Sequence, residues 1–89
     1  MVFYDKDVKK DIKKRILSKE IAKLFYNVFY SLDQTKDLNL FDIKKLITHS
    51  SKDYYRLRKG KYRAIFPMEE GDIYVLTISK RSEVYKKWL

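Results

Sequence analysis

The chain has 89 residues and a formal net charge of +9, with 45% of residues hydrophobic and 16% aromatic. That length leaves room for a single domain over residues 1–89, and the apolar and aromatic content excludes a disordered tail. There is no Cys for a disulfide or thiolate metal site, no apolar run near the roughly 18 residues that span a bilayer, and no secretory leader before the first charges. A cytoplasmic protein with no membrane partner is therefore expected, its positive field drawing nucleic acid or an acidic protein.

In chain order, Val2, Phe3 and Tyr4 favour a strand at one edge of a sheet. From Asp5, the apolar residues Val8, Ile12 and Ile16, with Leu17 beside the last, predict a helix, and Asp5 or Asp7 is available to cap it. Ser18 is an N-cap candidate for a second helix with Glu20 in its first turn, and Ile21, Leu24, Phe25, Val28, Phe29 and Leu32 form its apolar stripe. Lys9, Lys10, Lys13, Lys14 and Arg15 lie off the first helix's stripe, where a solvated face is the simpler reading than an RNA or membrane surface.

Between residues 33 and 53 the periodicity weakens. Leu38, Leu40, Ile43, Leu46 and Ile47 pin a connection to the core, and Thr48, His49, Ser50 and Ser51 read as loop. Residues 54–58, 62–66 and 73–79 are β-like runs separated by Lys59-Gly60-Lys61 and by Glu69-Glu70-Gly71-Asp72. Pro67 is expected to lie just beyond the second of these strands. The class is α+β: a small single domain with an N-terminal strand, a two-helix hairpin and a three-strand antiparallel meander completing one sheet.

Alternation places Tyr54, Arg56 and Arg58 on one face of the first hairpin strand and Tyr55 and Leu57 on the other. Lys59 and Lys61 flank the turn glycine and Arg63 follows, so five cations crowd a small area that an anion would relieve. The plainer reading is a solubilising basic hairpin paired with Glu69, Glu70 and Asp72 across the next turn. Lys80, Arg81 and Tyr85 gather at the end of the last strand, where Tyr85, taken alone, reads more readily as a packing residue.

No group of Asp, Glu, His and Cys has metal-ligand spacing, and the single histidine, His49, falls in a loop, so neither a metal nor a cofactor is expected and a two-histidine ribonuclease is disfavoured. RNA can still be cut if a base takes the 2′-hydroxyl proton, cations stabilise the phosphorane and an acid protonates the leaving 5′-oxygen. Tyr and Arg titrate far above neutrality, so this chemistry would draw on help from a larger RNA-bearing partner.

Residues 54–66, YYRLRKGKYRAIF, closely resemble the hairpin of the RelE/ParE toxin superfamily, usually YYRLRxGxYRxIY, and residues 80–85, KRSEVY, resemble its C-terminal signature. Residues 42–46, DIKKL, resemble the connector before its sheet, so the resemblance spans essentially the whole chain. It implies the toxin of a type II toxin–antitoxin pair. In the RelE-like branch such a toxin is a metal-independent endoribonuclease that cuts mRNA in the ribosomal A site and stops translation; in the ParE-like branch it poisons DNA gyrase by protein contact. A non-catalytic RNA-binding module is the third reading, resting on charge and a Tyr-rich sheet.

Under the nuclease reading, which the resemblance favours through Tyr85 and the basic hairpin, Arg63, Arg81 and Tyr85 would be catalytic. Arg56, Arg58, Lys59, Lys61 and Lys80 would hold RNA phosphates. Tyr85 would orient or deprotonate the 2′-hydroxyl, and Arg63 with Arg81 would neutralise the scissile phosphate. Tyr54 stands where some of these nucleases carry an extra Lys, and Thr48-His49 replaces a common Gly-containing loop. The expected partners are the ribosome, its mRNA and an acidic RelB-like antitoxin that wraps the toxin and covers the basic cleft.

Overall fold

A computed structural model describes residues 1–49 and 51–88, with backbone only at positions 85, 87 and 88. The elements in chain order are β1 (Val2–Tyr4), α1 (Lys6–Lys13), α2 (Lys19–Thr35), a 3-10 turn (Leu38–Leu40), β2 (Ile43–Leu46), β3 (Tyr54–Lys59), β4 (Tyr62–Glu69), β5 (Asp72–Val75), β6 (Thr77–Lys80) and α3 (Arg81–Trp88). The expected α+β order of strand, helical hairpin and antiparallel sheet is present, and β2 and α3 are added to it. The loop position Ser50 lies outside the described residues.

The helices form where the apolar spacing predicts them, with one shift. Asp5 takes the N-cap position of α1 without a side-chain cap, and the helix ends at Lys13, because Arg15 adopts a left-handed φ of 61°. The chain therefore turns before Ile16, which is left 69% exposed, and Leu17 takes its place in the core. Ser18 caps α2 by accepting a 3.2 Å hydrogen bond from the Ile21 amide, satisfying one of the helix's unpaired N–H groups. Lys36, left-handed at φ 56°, closes α2 through its amide to the Leu32 carbonyl at 2.8 Å.

The sheet runs β1-β5-β4-β3-β2, with β1 parallel to β5 and β6 on the same side of β4 as β5. The pairs Met68 with Ile73 and Ile65 with Thr77 differ by one residue in register, so β5 and β6 are one strand interrupted by a bulge at Leu76. Pro67 lies inside β4, opposite Tyr54, and not beyond its end. It falls in the gap between the two paired stretches on the β5–β6 side, where the missing N–H removes no ladder bond.

Phe25, Val28, Phe29 and Leu32 of α2 pack with Leu57, Ala64, Phe66, Ile73, Val75 and Ile78 from one face of the sheet. Phe29 meets Phe66 edge to face at 5.1 Å, and Tyr55 stacks on Phe66 at 5.6 Å. Helices α1 and α2 thus cover one face, and residues alternating with these core positions project from the other. Ile65 on that second face and Val84 of α3 are also buried, and both lie outside the helix-facing cluster.

Candidate functional site

The two hairpin turns hold the second face in register. Gly60 and Lys61 link Lys59 to its partner Tyr62, with Gly60 at φ 61°, and Glu70 and Gly71 link Glu69 to Asp72 with φ of 51° and 83°. Positive φ at the first or at both central residues suits the twist of tight hairpins, which is why glycine recurs here. With these turns fixed, Arg56 stands opposite Ile65, Arg58 opposite Arg63, and Arg63 opposite Ser79. Paired residues share a face, so Arg56, Arg58 and Arg63 project together from the face opposite α1 and α2.

Two like charges directly opposite one another destabilise a sheet. Here the Arg63 guanidinium is also half-buried, and its pKa falls below the ordinary arginine value, first through burial and then through repulsion by Arg56, Arg58 and Arg81. Its Nη1 donates to the carbonyl oxygens of Gly60 at 2.9 Å and Tyr62 at 3.0 Å, so the turn itself fixes the planar fork. Arg81 opens α3, and its amide donates to the Lys61 carbonyl at 3.1 Å. That bond ties the start of α3 to the hairpin turn.

The counter-charge comes from Asp42, which the sequence reading placed in the connector without a charge-pairing role. Its carboxylate bridges the two arginines of β3: Arg56 Nη2 donates to Oδ1 at 3.2 Å, and Arg58 Nε donates to Oδ2. The pairing considered for a solubilising hairpin is different in the structure, because Glu69 pairs with Lys52 and Asp72 with the Met1 ammonium. The Arg56 Nε is buried without a hydrogen-bond partner among the described residues. A buried, unsatisfied charged donor is costly, and a ligand oxygen reaching it would remove that cost.

Arg56, Arg58, Arg63 and Arg81 therefore come together, and Lys44, opposite Arg56 on β2, extends the same face. Lys61 sits exposed in the turn. Lys59 and Lys80 both stand opposite Tyr62, a register that places them on the helix side at the sheet's end, so they flank the arginine cluster from its far edge. Position 85 lies in α3, four residues after Arg81, and the Tyr85 side chain lies outside the described residues. Sequence reading gave Lys44 no place on this face because Ile43 and Leu46 flank two lysines, a spacing without strand alternation.

Chemically, the face offers several guanidinium forks at fixed positions and a buried donor without a partner, an arrangement suited to a phosphate or another oxyanion. Among the described residues no group of three or more His, Asp or Glu is arranged to hold a metal ion. No helix among them is long and apolar enough to cross a membrane.

No protein-family model matches the chain, and no curated protein matches it either. Two solved structures are similar over almost the whole chain. One is the RelB–RelE antitoxin–toxin complex from Methanococcus jannaschii, with a TM-score of 0.74 and 25% identity over 98% of this chain and 99% of that one. The other is the archaeal RelE–RelB complex from Pyrococcus horikoshii OT3, with a TM-score of 0.71 and 28% identity over 90% of this chain and 92% of that one. The chain thus has a RelE-like toxin fold.

Proposed function

We propose that this chain is the toxin of a type II toxin–antitoxin pair and acts as a metal-independent endoribonuclease on mRNA in the ribosomal A site. The observation that carries the reading is the cluster of Arg56, Arg58 and Arg63 on the sheet face opposite α1 and α2, with Arg81 tied to the adjoining hairpin turn, in a RelE-like fold. Like charges gathered in this way repel, and an anionic ligand would relieve that repulsion.

In this mechanism the 2′-hydroxyl loses its proton and attacks the adjacent phosphorus. The bond to the 5′-oxygen breaks and that oxygen takes up a proton, leaving a 2′,3′-cyclic phosphate and a 5′-hydroxyl. Arg63, already oriented by the Gly60 and Tyr62 carbonyls, and Arg81 neutralise the charge that builds on the phosphorane. Arg56 and Arg58 grip the flanking backbone, with Lys59, Lys61 and Lys80 adding long-range attraction for RNA. Tyr85 orients or deprotonates the 2′-hydroxyl, with the ribosome and its RNA supplying the surroundings that a phenol needs to act near neutral pH.

An acidic, RelB-like antitoxin is the partner this surface suits in the resting cell. Both similar structures are complexes with RelB, and a +9 chain gains both affinity and association rate from an acidic segment laid over its basic face.

Brief expression in cells, followed by primer extension on an abundant mRNA, tests the proposal. New 5′ ends inside translated codons are expected for the wild type and should vanish for Arg63→Ala, Arg81→Ala and Tyr85→Phe. Growth arrest without such ends, accompanied by trapped DNA–gyrase complexes, would instead assign the chain to gyrase poisoning.

A further inference from the structure

Asp42 precedes β2 and belongs to no part of the RNA-cleaving machinery described above, yet its carboxylate binds two of that machinery's arginines. Its two oxygens take one donor each from Arg56 and Arg58, and its backbone carbonyl accepts the Arg58 amide at 2.9 Å. The carboxylate is therefore attached at its root to the strand whose side chains it binds. That double attachment fixes where the charge sits relative to both guanidinium groups.

A guanidinium has five N–H donors, and Asp42 occupies one on each arginine. Apart from the buried Arg56 Nε, the donors that Asp42 leaves are the ones a phosphate would take. A carboxylate placed in this way does not block the site. It restricts the rotamers of two long side chains that would otherwise lose considerable entropy on gripping RNA. It also offsets part of the repulsion along Arg56, Arg58 and Arg63, and through-space attraction from Asp42 counters the depression of the Arg63 pKa.

We infer that Asp42 is a positioning residue for RNA cleavage, holding Arg56 and Arg58 in the orientation the transition state needs while weakening their grip on RNA in the ground state. The inference rests on the nuclease reading. Its signature is a split that general structural damage does not produce: loss of the carboxylate should slow the reaction and tighten binding at the same time. Ground-state binding improves because two cations are released from an internal partner, and the rate falls because their placement is lost.

The test uses the full chain, with two readouts. Cleavage is followed on ribosomes programmed with a short mRNA, and affinity is measured against a 2′-O-methyl RNA oligonucleotide, which lacks the attacking hydroxyl. Asp42→Asn, nearly isosteric with the native residue, should reduce kcat about 10- to 100-fold, the scale of misplaced but still present transition-state cations. The same variant should bind the oligonucleotide about 3- to 10-fold tighter at low salt, with a steeper salt dependence. Asp42→Glu, which keeps the charge, should return affinity to the wild-type value and recover most of the rate.

An Asn variant that loses rate and affinity together, or that cleaves as fast as the wild type, overturns the inference. So does a Glu variant as slow as the Asn variant. If Asp42→Asn melts below the assay temperature, Asp42→Ser takes its place and is judged by the same two readouts. A wild-type chain that cuts no RNA on ribosomes sinks the nuclease reading itself, a result separate from any difference between variants.

Discussion

Arg63 concentrates the conflict between stability and function in this molecule. It faces Arg58 across the hairpin, sits half-buried, and has its guanidinium held by two backbone carbonyls in place of a carboxylate. Replacing it with Gln removes a desolvated charge and one like-charge pair while keeping a donor for the Gly60 or Tyr62 carbonyl. The variant should therefore be more stable by about 0.5–1 kcal/mol, the scale of a cross-strand charge pair. For a chain of this size that corresponds to a rise in Tm of about 3–6 °C, measurable by circular dichroism. Cleavage should fall about 100-fold or more, as expected for loss of a fixed cation at a developing oxyanion. Arg63→Lys keeps the charge, but once its one nitrogen meets the Gly60 and Tyr62 carbonyls, as Arg63 Nη1 does, no second nitrogen is left for the phosphate, so it should restore less than a tenth of the lost rate. A Gln variant that melts below the wild type would mean that the two carbonyl contacts outweigh the repulsion.

At the scale of elements, the core depends on the sheet-facing stripe of α2. Phe29 is fully buried against Phe66 and Phe25, whereas Leu24, five residues earlier on the same helix, is 45% exposed. Phe29→Ala should cost about 3–5 kcal/mol by emptying a packed site, and Leu24→Ala no more than about 0.5 kcal/mol; urea melts distinguish them directly. Sequence periodicity had assigned both residues to the apolar face, because spacing gives a helix's stripe but not the width that its partner sheet covers. The same limit explains other differences. The Ser18 cap and the hairpin arginines were legible because cap chemistry and strict alternation are local. The bulge at Leu76 was not, since it exists only relative to the register of β4, and β2 was hidden by the spacing of its two apolar residues. Helix α3 had no apolar stripe to announce it, its first residue following β6 without a loop.

At the scale of the whole molecule, a net charge of +9 does not say which surface binds RNA. There are two candidates. Lys9, Lys10, Lys13 and Lys14 of the α1 region are exposed, and no ion pair to a carboxylate is seen for them among the described residues. The arginine cluster has comparable charge, but its groups are partly desolvated, held by carbonyls and by Asp42, and share one sheet face. Long flexible lysines on a helix stay hydrated and bind phosphates diffusely, whereas fixed forks release condensed counterions at defined positions. The logarithm of affinity for single-stranded RNA should therefore fall with the logarithm of salt concentration at a slope of about −3, near −0.7 for each of four phosphates contacted. Neutralising Arg56 or Arg58 with Gln should flatten that slope by about 0.7 for each residue. Neutralising Lys10 with Lys14 should change it by less than half as much as one arginine and leave cleavage on ribosomes intact. Equal effects from the two surfaces would mean that RNA meets the molecule as an undirected positive body, and the arginine face would lose its claim to be the site.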